Sequence, residues 1–196
     1  MNKTALLLAA LLALPLCGCA REPAADTTPK GTEPVNPPKA LVAYFSATGT
    51  TKGVAERLAG AIGAGLYEIA PETPYSMADL DWRDKTSRSS VEMADRASRP
   101  AIAGPAPDLS GVEVVFVGFP IWWYREPSIV DTFVESNASA LAGKTLVPFA
   151  TSGGSGMGDS SANLQALAPA AKVAEGRRLR VSASADDLAD WARGFR

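Results

Sequence analysis

Three short segments of the chain carry residues able to do chemistry. Ser46-Ala47-Thr48-Gly49-Thr50-Thr51 offers four hydroxyls and a glycine. Set at a helix start, beside that helix's free N–H groups, such a set can grip a doubly charged phosphate without any cationic side chain. It matches neither the G-x-x-x-x-G-K-[ST] loop nor the G-x-G-x-x-G fingerprint. The plain alternative is that Ser46 or Thr48 caps the helix. Gly118-Phe119-Pro120-Ile121-Trp122-Trp123-Tyr124-Arg125 ends in three consecutive aromatics and an arginine. Such rings are costly to expose unless something flat packs on them; otherwise they bury one another as core or lid. Thr151-Ser152-Gly153-Gly154-Ser155-Gly156-Met157-Gly158-Asp159 carries four glycines. It can bring backbone N–H and C=O groups close to the edge of a planar ligand, or serve as a flexible surface loop.

Other chemistry is excluded. The chain has 196 residues, a formal net charge of −2 and no histidine. No imidazole base is available, and most zinc and haem sites are ruled out. Near-neutral charge argues against nucleic acid as a partner. Cys17 and Cys19 are the only cysteines, so the body that follows has no disulfide, thiolate nucleophile or iron–sulfur cluster. Asp79, Asp81 and Asp84 read as solvated loop charges rather than a metal cluster.

The elements that must position the three segments begin at Ala40. Ala40–Phe45 and Val112–Phe119 are apolar runs typical of strands buried on both faces. Leu66–Ile69 and Leu146–Ala150 are two more strands, and a weak fifth falls within Lys172–Leu179. Between them, Val54, Leu58 and Ile62 stripe one helix, and Ile129, Val130, Phe133 and Val134 a second that Pro127 opens. Ser160–Leu167 is a third, and Leu188, Trp191, Ala192 and Phe195 a last one capped by Ser184. Residues 72–110 read as a partly helical excursion over the domain edge. Strand–helix alternation predicts an α/β fold, a doubly wound five-stranded parallel sheet with helices on both faces. Ligands of such sheets bind beyond the carboxyl ends of the strands, where all three segments fall.

Residues 1–18 read as a leader. Lys3 precedes the apolar run Ala5–Leu16, and Leu16-Cys17-Gly18-Cys19 resembles the bacterial lipobox. Gly18 is the small residue expected before cleavage, which makes Cys19 the lipidated residue; the alternative is an ordinary secretory signal with incidental cysteines. Residues 19–39, with Pro23, Pro29, Pro34, Pro37 and Pro38, read as a linker holding residues 40–196 off a membrane.

A phosphate cradle, an aromatic platform and a backbone clamp at one sheet edge suit a flat, polar, phosphorylated heterocycle. Here the chain resembles the flavodoxin family of FMN-binding proteins. Ser46-x-Thr48-Gly49-x-Thr51 is similar to that family's phosphate loop. Gly118-Phe119-Pro120-Ile121-Trp122-Trp123 and Thr151-Ser152-Gly153-Gly154-Ser155-Gly156 are similar to its two flavin-ring loops. The resemblance, spanning Ala40 to Phe195, implies a three-layer α/β/α fold with the sheet order 2-1-3-4-5 known for flavodoxin itself. It implies Ser46, Thr48, Gly49, Thr50 and Thr51 on the phosphate. Pro120, Ile121, Trp122 and Trp123 would lie on the ring, and Ser152, Gly153, Gly154, Ser155 and Gly156 on its pyrimidine edge. Lys52 is either an added charge there or an exposed helix lysine. Tyr75 and Trp82 are left out of the site, and Tyr124 and Arg125 are assigned to a substrate or partner surface.

Three functions follow as expectations. One is an electron-transfer protein with a separate redox partner, tethered to the cell envelope. Another is an FMN-dependent NAD(P)H oxidoreductase of quinones or nitro compounds. The last is a binding lipoprotein that has lost its cofactor. The body lacks the strong acidity of electron-carrying flavodoxins, which predicts a milder reduction potential, because negative charge near the ring disfavours the anionic reduced flavin.

Overall fold

The computed structural model describes residues 39–195. The leader at residues 1–18, Cys19 and all of the linker but residue 39 lie outside the described residues.

Five stretches of strand form the expected parallel sheet, and one of them is broken. β1 (Ala40–Tyr44) lies between β2 (Gly65–Glu68) and β3 (Val114–Pro120), and β4 (Thr145–Thr151) follows β3. The outer position beside β4 is shared by β5 (Lys172–Val173) and β6 (Arg177–Arg178). The order is therefore β2-β1-β3-β4-β5, all parallel. The fifth strand splits because of Pro148. The Leu146 carbonyl accepts from Ala174 N–H and the Ala150 carbonyl from Leu179 N–H, so Pro148, midway between them, also faces the outer strand. It has no N–H to offer, and the strand leaves the sheet over Ala174–Gly176.

Alternating side chains fill the two faces. Ala40, Val42, Tyr44, Val114, Phe116, Val147 and Phe149 pack on one side against α1 (Thr50–Ile62) and α6 (Ala185–Ala192). Leu41, Ala43, Phe45, Val115, Val117, Phe119, Leu146 and Ala150 pack on the other against α3 (Ser128–Ser136) and α5 (Ser160–Leu167). A one-turn helix, α4 (Ala138–Leu141), follows α3. Val54 and Leu58 of α1 are fully buried, each contributing about 1.5–3 kcal/mol through the apolar surface removed from water. Pro127 stands one residue before α3, as its N-cap, rather than inside its first turn. Among the described residues no helix is long and apolar enough to cross a membrane.

Residues 72–110 contain one short helix, α2 (Arg88–Ala94). Both ends of the excursion are clasped just past β2. Glu72 N–H donates to the Ala101 carbonyl at 2.9 Å, and Ala103 N–H to the Ala70 carbonyl at 2.8 Å. The segment therefore leaves and returns beyond the carboxyl end of β2, which brings its middle to the edge where the three loops meet.

Candidate functional site

The first loop leaves its helix without a side-chain cap. Gly49 is the N-cap of α1, with φ of 85°, and no side chain bonds the first-turn N–H groups. The capping alternative for Ser46 and Thr48 is thus set aside. Gly49 suits the position because a left-handed backbone strains any residue with a Cβ. Ser46, Ala47, Thr48 and Thr51 line a cavity of about 170 Å³ together with Leu80, Pro120 and Trp122. It contains hydroxyls and apolar walls but no charged side chain. The Thr50 hydroxyl is 3.4 Å from that of Thr48. Thr51 is buried, and its hydroxyl pairs with that of Thr151 at 2.8 Å, tying α1 to the end of β4. Lys52 turns instead to Glu68, 3.6 Å away, and is the exposed helix lysine of the two readings.

The second loop is a strained hairpin. Trp122 and Arg125 exchange two backbone hydrogen bonds of 3.0 Å, and the residues between them, Trp123 and Tyr124, have φ of 45° and 63°. A two-residue turn with both φ positive normally takes Asn-Gly. Two bulky aromatics there cost about 1–3 kcal/mol each, and the turn leaves them 43% and 76% exposed. Trp122 turns inward, with ring centroids 5.4 Å from both Phe45 and Tyr75 in edge-to-face contact. Tyr75 braces it rather than covering anything. The Tyr75 hydroxyl bonds Glu92, and the Arg88 guanidinium lies 4.0 Å above its ring.

Arg125 is a correction to the sequence reading, which placed it on a surface. It is 8% exposed and buried under the hairpin with Glu126 and Asp131. Its guanidinium donates to Asp131 Oδ2 at 3.0 Å and to the Glu126 carbonyl at 3.0 Å. Asn163 supplies Glu126 with a further hydrogen bond at 3.0 Å. This buried charge pair holds the foot of the turn in place. Burial, reinforced by the Glu126 carboxylate and opposed by Arg125, pushes the Asp131 carboxyl up to about 7.

The third loop orders itself. Ser152 Oγ accepts from the N–H groups of Gly154 and Ser155 at 3.2 and 2.9 Å, which makes the flexible-loop alternative a poor description. Gly153, Gly154 and Gly156 face open space. Gly158 is fixed by contact, because a Cβ there would sit 2.0 Å from the Tyr124 carbonyl oxygen. Ile121 N–H bonds the Thr151 carbonyl at 3.1 Å, joining the roots of the second and third loops.

Between these loops and the excursion lies a second cavity of about 400 Å³. It is lined by Leu80, Trp82, Ser89, Ile121, Trp122, Trp123, Tyr124 and Ser155. It shares Leu80 and Trp122 with the hydroxyl-lined cavity, so the two adjoin. Leu80, Trp82 and Ser89 were not expected in the site. Trp82 is 64% exposed on the rim. Ser89 is 2% exposed, and its Oγ has no hydrogen-bond partner. An unmet buried hydroxyl costs about 1–3 kcal/mol, which a ligand with an acceptor there would recover. No sequence signal marked Leu80 or Ser89, since the excursion has no periodicity, and Trp82 stood out there only as an aromatic able to cover a ring. Two other cavities, of about 420 and 650 Å³, share no residue with the three loops.

Asp79, Asp81 and Asp84 each stabilise their own turns, accepting from the N–H groups of Ser76, Arg83 and Thr86. Among the described residues no group of three acidic or cysteine side chains is placed to hold a metal.

A family model described as flavodoxin matches residues 39–195. A crystal structure provisionally named a flavoprotein, from Bacteroides eggerthii DSM 20697, is 49% identical, with a TM-score of 0.74 over 81% of this chain and 98% of its own. One of the same description from Bacteroides uniformis ATCC 8492 is 44% identical, with a TM-score of 0.72 over 80% and 99%. A flavoprotein in complex with FMN from Lactobacillus acidophilus NCFM shares the fold at 21% identity, with a TM-score of 0.59 over 72% and 93%. No curated protein matches the chain.

Two outcomes follow from the hairpin. Replacing Trp123 and Tyr124 by Asn and Gly should raise unfolding free energy in urea by about 2–6 kcal/mol, less the packing lost with the Trp123 ring, because the strain at both positions is released. No gain would show that the turn is relaxed. Asp131 binds a proton more tightly folded than unfolded, so its stabilisation is complete below about 3.8 and is lost as pH rises through about 7. Asp131→Asn cannot ionise. Its melting temperature relative to the parent should therefore climb between about pH 4 and about pH 7 and level off above, whereas a constant difference would refute the raised carboxyl.

Proposed function

Since the chain belongs to the flavodoxin family, we propose that it binds FMN at the carboxyl edge of its sheet and passes electrons through it. We propose further that acylated Cys19 holds the domain at the cell envelope, a reading that rests on Leu16-Cys17-Gly18-Cys19 alone. When bound, FMN supplies a ring that accepts and releases electrons. The remaining work belongs to side chains and backbone of this chain.

The observation that carries the reading is the uncapped start of α1 facing a small, hydroxyl-lined cavity that adjoins a larger aromatic one. Ser46, Thr48 and Thr50 hydroxyls and the first-turn N–H groups would hold the phosphate. The positive end of the helix takes the place of a cationic side chain. Thr51 and Thr151 share one hydrogen bond, so one proton of the pair is left for another acceptor. Pro120, Ile121, Trp122 and Trp123 supply the walls of the ring site. Backbone groups of Ser152, Gly153, Gly154, Ser155 and Gly156 would meet the polar edge of the ring, and Ser89 Oγ, unpaired at the wall of the larger cavity, would donate to an acceptor placed there. The same walls would keep water from one side of the ring, with exposed Trp123 and Tyr124 at the rim of the cavity. The domain's near neutrality goes with a milder potential than that of acidic electron carriers.

Absorbance titration tests the reading. The purified chain should turn yellow with FMN at a single saturable site. Ser46→Ala with Thr48→Val should weaken binding by about 1–3 kcal/mol per hydrogen bond lost. Thr51 is left intact because its loss would also unpair buried Thr151. A chain that stays colourless with excess FMN would return the function to the cofactor-free reading.

A further inference from the structure

Trp82 and Trp123 line not one cavity but two. Beyond the chamber described above, both indoles also line an open cleft of about 660 Å³, whose other walls are Arg83, Lys85, Ser90 and Ala94. The indoles are thus common to the chamber assigned to the flavin and to a cationic cleft that adjoins it. Two features of the cleft point to its occupant. The first is aromatic surface left in water, since Trp82 and Trp123 are 64% and 43% exposed, an arrangement that favours a flat ring over solvent. The second is a lining that carries two cations and no carboxylate. The Arg83 guanidinium sits over the Trp82 ring, 4.7 Å from its centroid. Neither Arg83 nor Lys85 is ion-paired among the described residues.

The nearby carboxylates keep their charge but do not line the cleft, because each is turned into its own loop. Asp81 accepts from Arg83 N–H at 3.0 Å, and Asp84 from Thr86 N–H and hydroxyl at 2.8 and 2.7 Å. Asp79 accepts from Ser76 N–H and hydroxyl at 2.8 and 2.7 Å, and Asp95 from Ala97 N–H at 2.8 Å. Ser90 Oγ accepts from the Ser87 hydroxyl at 2.9 Å, which leaves its own proton for an acceptor in the cleft. What faces the cleft is a pair of indole surfaces, the Ser90 hydroxyl and two cations without an ion-pair partner among the described residues.

We infer that this cleft binds a flat aromatic anion, its ring against Trp82 and Trp123 and its carboxylate or sulfonate on Arg83 and Lys85. That the neighbouring chamber holds flavin rests on the function proposed above; the binding of the anion rests on the cleft alone. The shared indole wall would set such a molecule beside the flavin without displacing it, the position a small-molecule electron partner needs.

The test uses three probes of one shape, naphthalene-2-sulfonate, 2-naphthylmethanol and 2-naphthylmethylammonium. Each is titrated calorimetrically onto the chain with and without saturating FMN. The sulfonate should bind about tenfold more tightly than the alcohol, since two exposed charge contacts are together worth roughly that factor. The ammonium should bind more weakly than the alcohol. Arg83→Gln with Lys85→Gln should bring the sulfonate down to the alcohol while changing FMN affinity less than about twofold. Trp82→Leu should weaken the sulfonate and the alcohol alike. Equal affinity for all three probes would overturn the proposal, as would a sulfonate indifferent to the double variant. Loss of sulfonate binding on adding FMN would also overturn it, by placing the probe in the flavin chamber. A chain that fails to take up FMN contradicts the flavin reading instead, and the probe series on that chain still decides the cleft.

Discussion

The site exists because β1, β3 and β4 are parallel neighbours, so the three loops that leave their carboxyl ends emerge side by side. Short bonds keep those ends in step. Phe45 N–H reaches the Gly118 carbonyl at 2.8 Å, Ile121 N–H reaches the Thr151 carbonyl at 3.1 Å, and the Thr51 and Thr151 hydroxyls meet at 2.8 Å. Each links one loop root to the next. The register also explains Gly118. Its face of β3 lies against the Phe149 ring, and a Cβ there would fall 2.2 Å from that ring. Closing the gap between β3 and β4 demands a residue without a side chain.

On that frame the hairpin stores strain and the buried charges beneath it hold the strain in. Trp123 and Tyr124 adopt a backbone that glycine or asparagine would take at lower cost, yet Arg125 is fixed to Glu126 and Asp131, and Gly158 lies against the Tyr124 carbonyl. Two aromatic side chains stand in solvent as a result. Backbone strain combined with exposed apolar surface is a poor solution for stability alone, and it is intelligible as a device for presenting rings to a ligand.

Most of the frame was legible in the residues. Ala40–Phe45 and Val112–Phe119 read as buried strands because they are apolar without alternation, the mark of a strand covered on both faces. The apolar stripe of Val54, Leu58 and Ile62 marked the first helix, while its start was misplaced, since the capping reading fell on Ser46 or Thr48 and the N-cap is Gly49. The outer strand was legible only as a weak apolar stretch, because its break is caused by Pro148 on the neighbouring strand, a pairing that no local pattern reveals. Leu80, Trp82 and Ser89 were missed for a related reason. They sit in a segment without periodicity, and what brings them to the site is the clasp of Glu72 and Ala103 onto Ala101 and Ala70. Arg125 was misread because an arginine beside exposed aromatics looks like surface, while its partner Asp131 lies six residues on, inside a helix whose apolar stripe hides it.

The central claim is that a phosphate group is held at the start of α1 by uncharged donors alone. Comparing dissociation constants for FMN and riboflavin on the same protein isolates that group, since the ring and ribityl chain are common to both. With at least two charge-assisted hydrogen bonds at about 1.5–3 kcal/mol each, FMN should bind at least about a hundredfold more tightly. Equal affinity for the two would mean that Ser46, Thr48 and the bare helix start hold no phosphate, and the account would fail at its root.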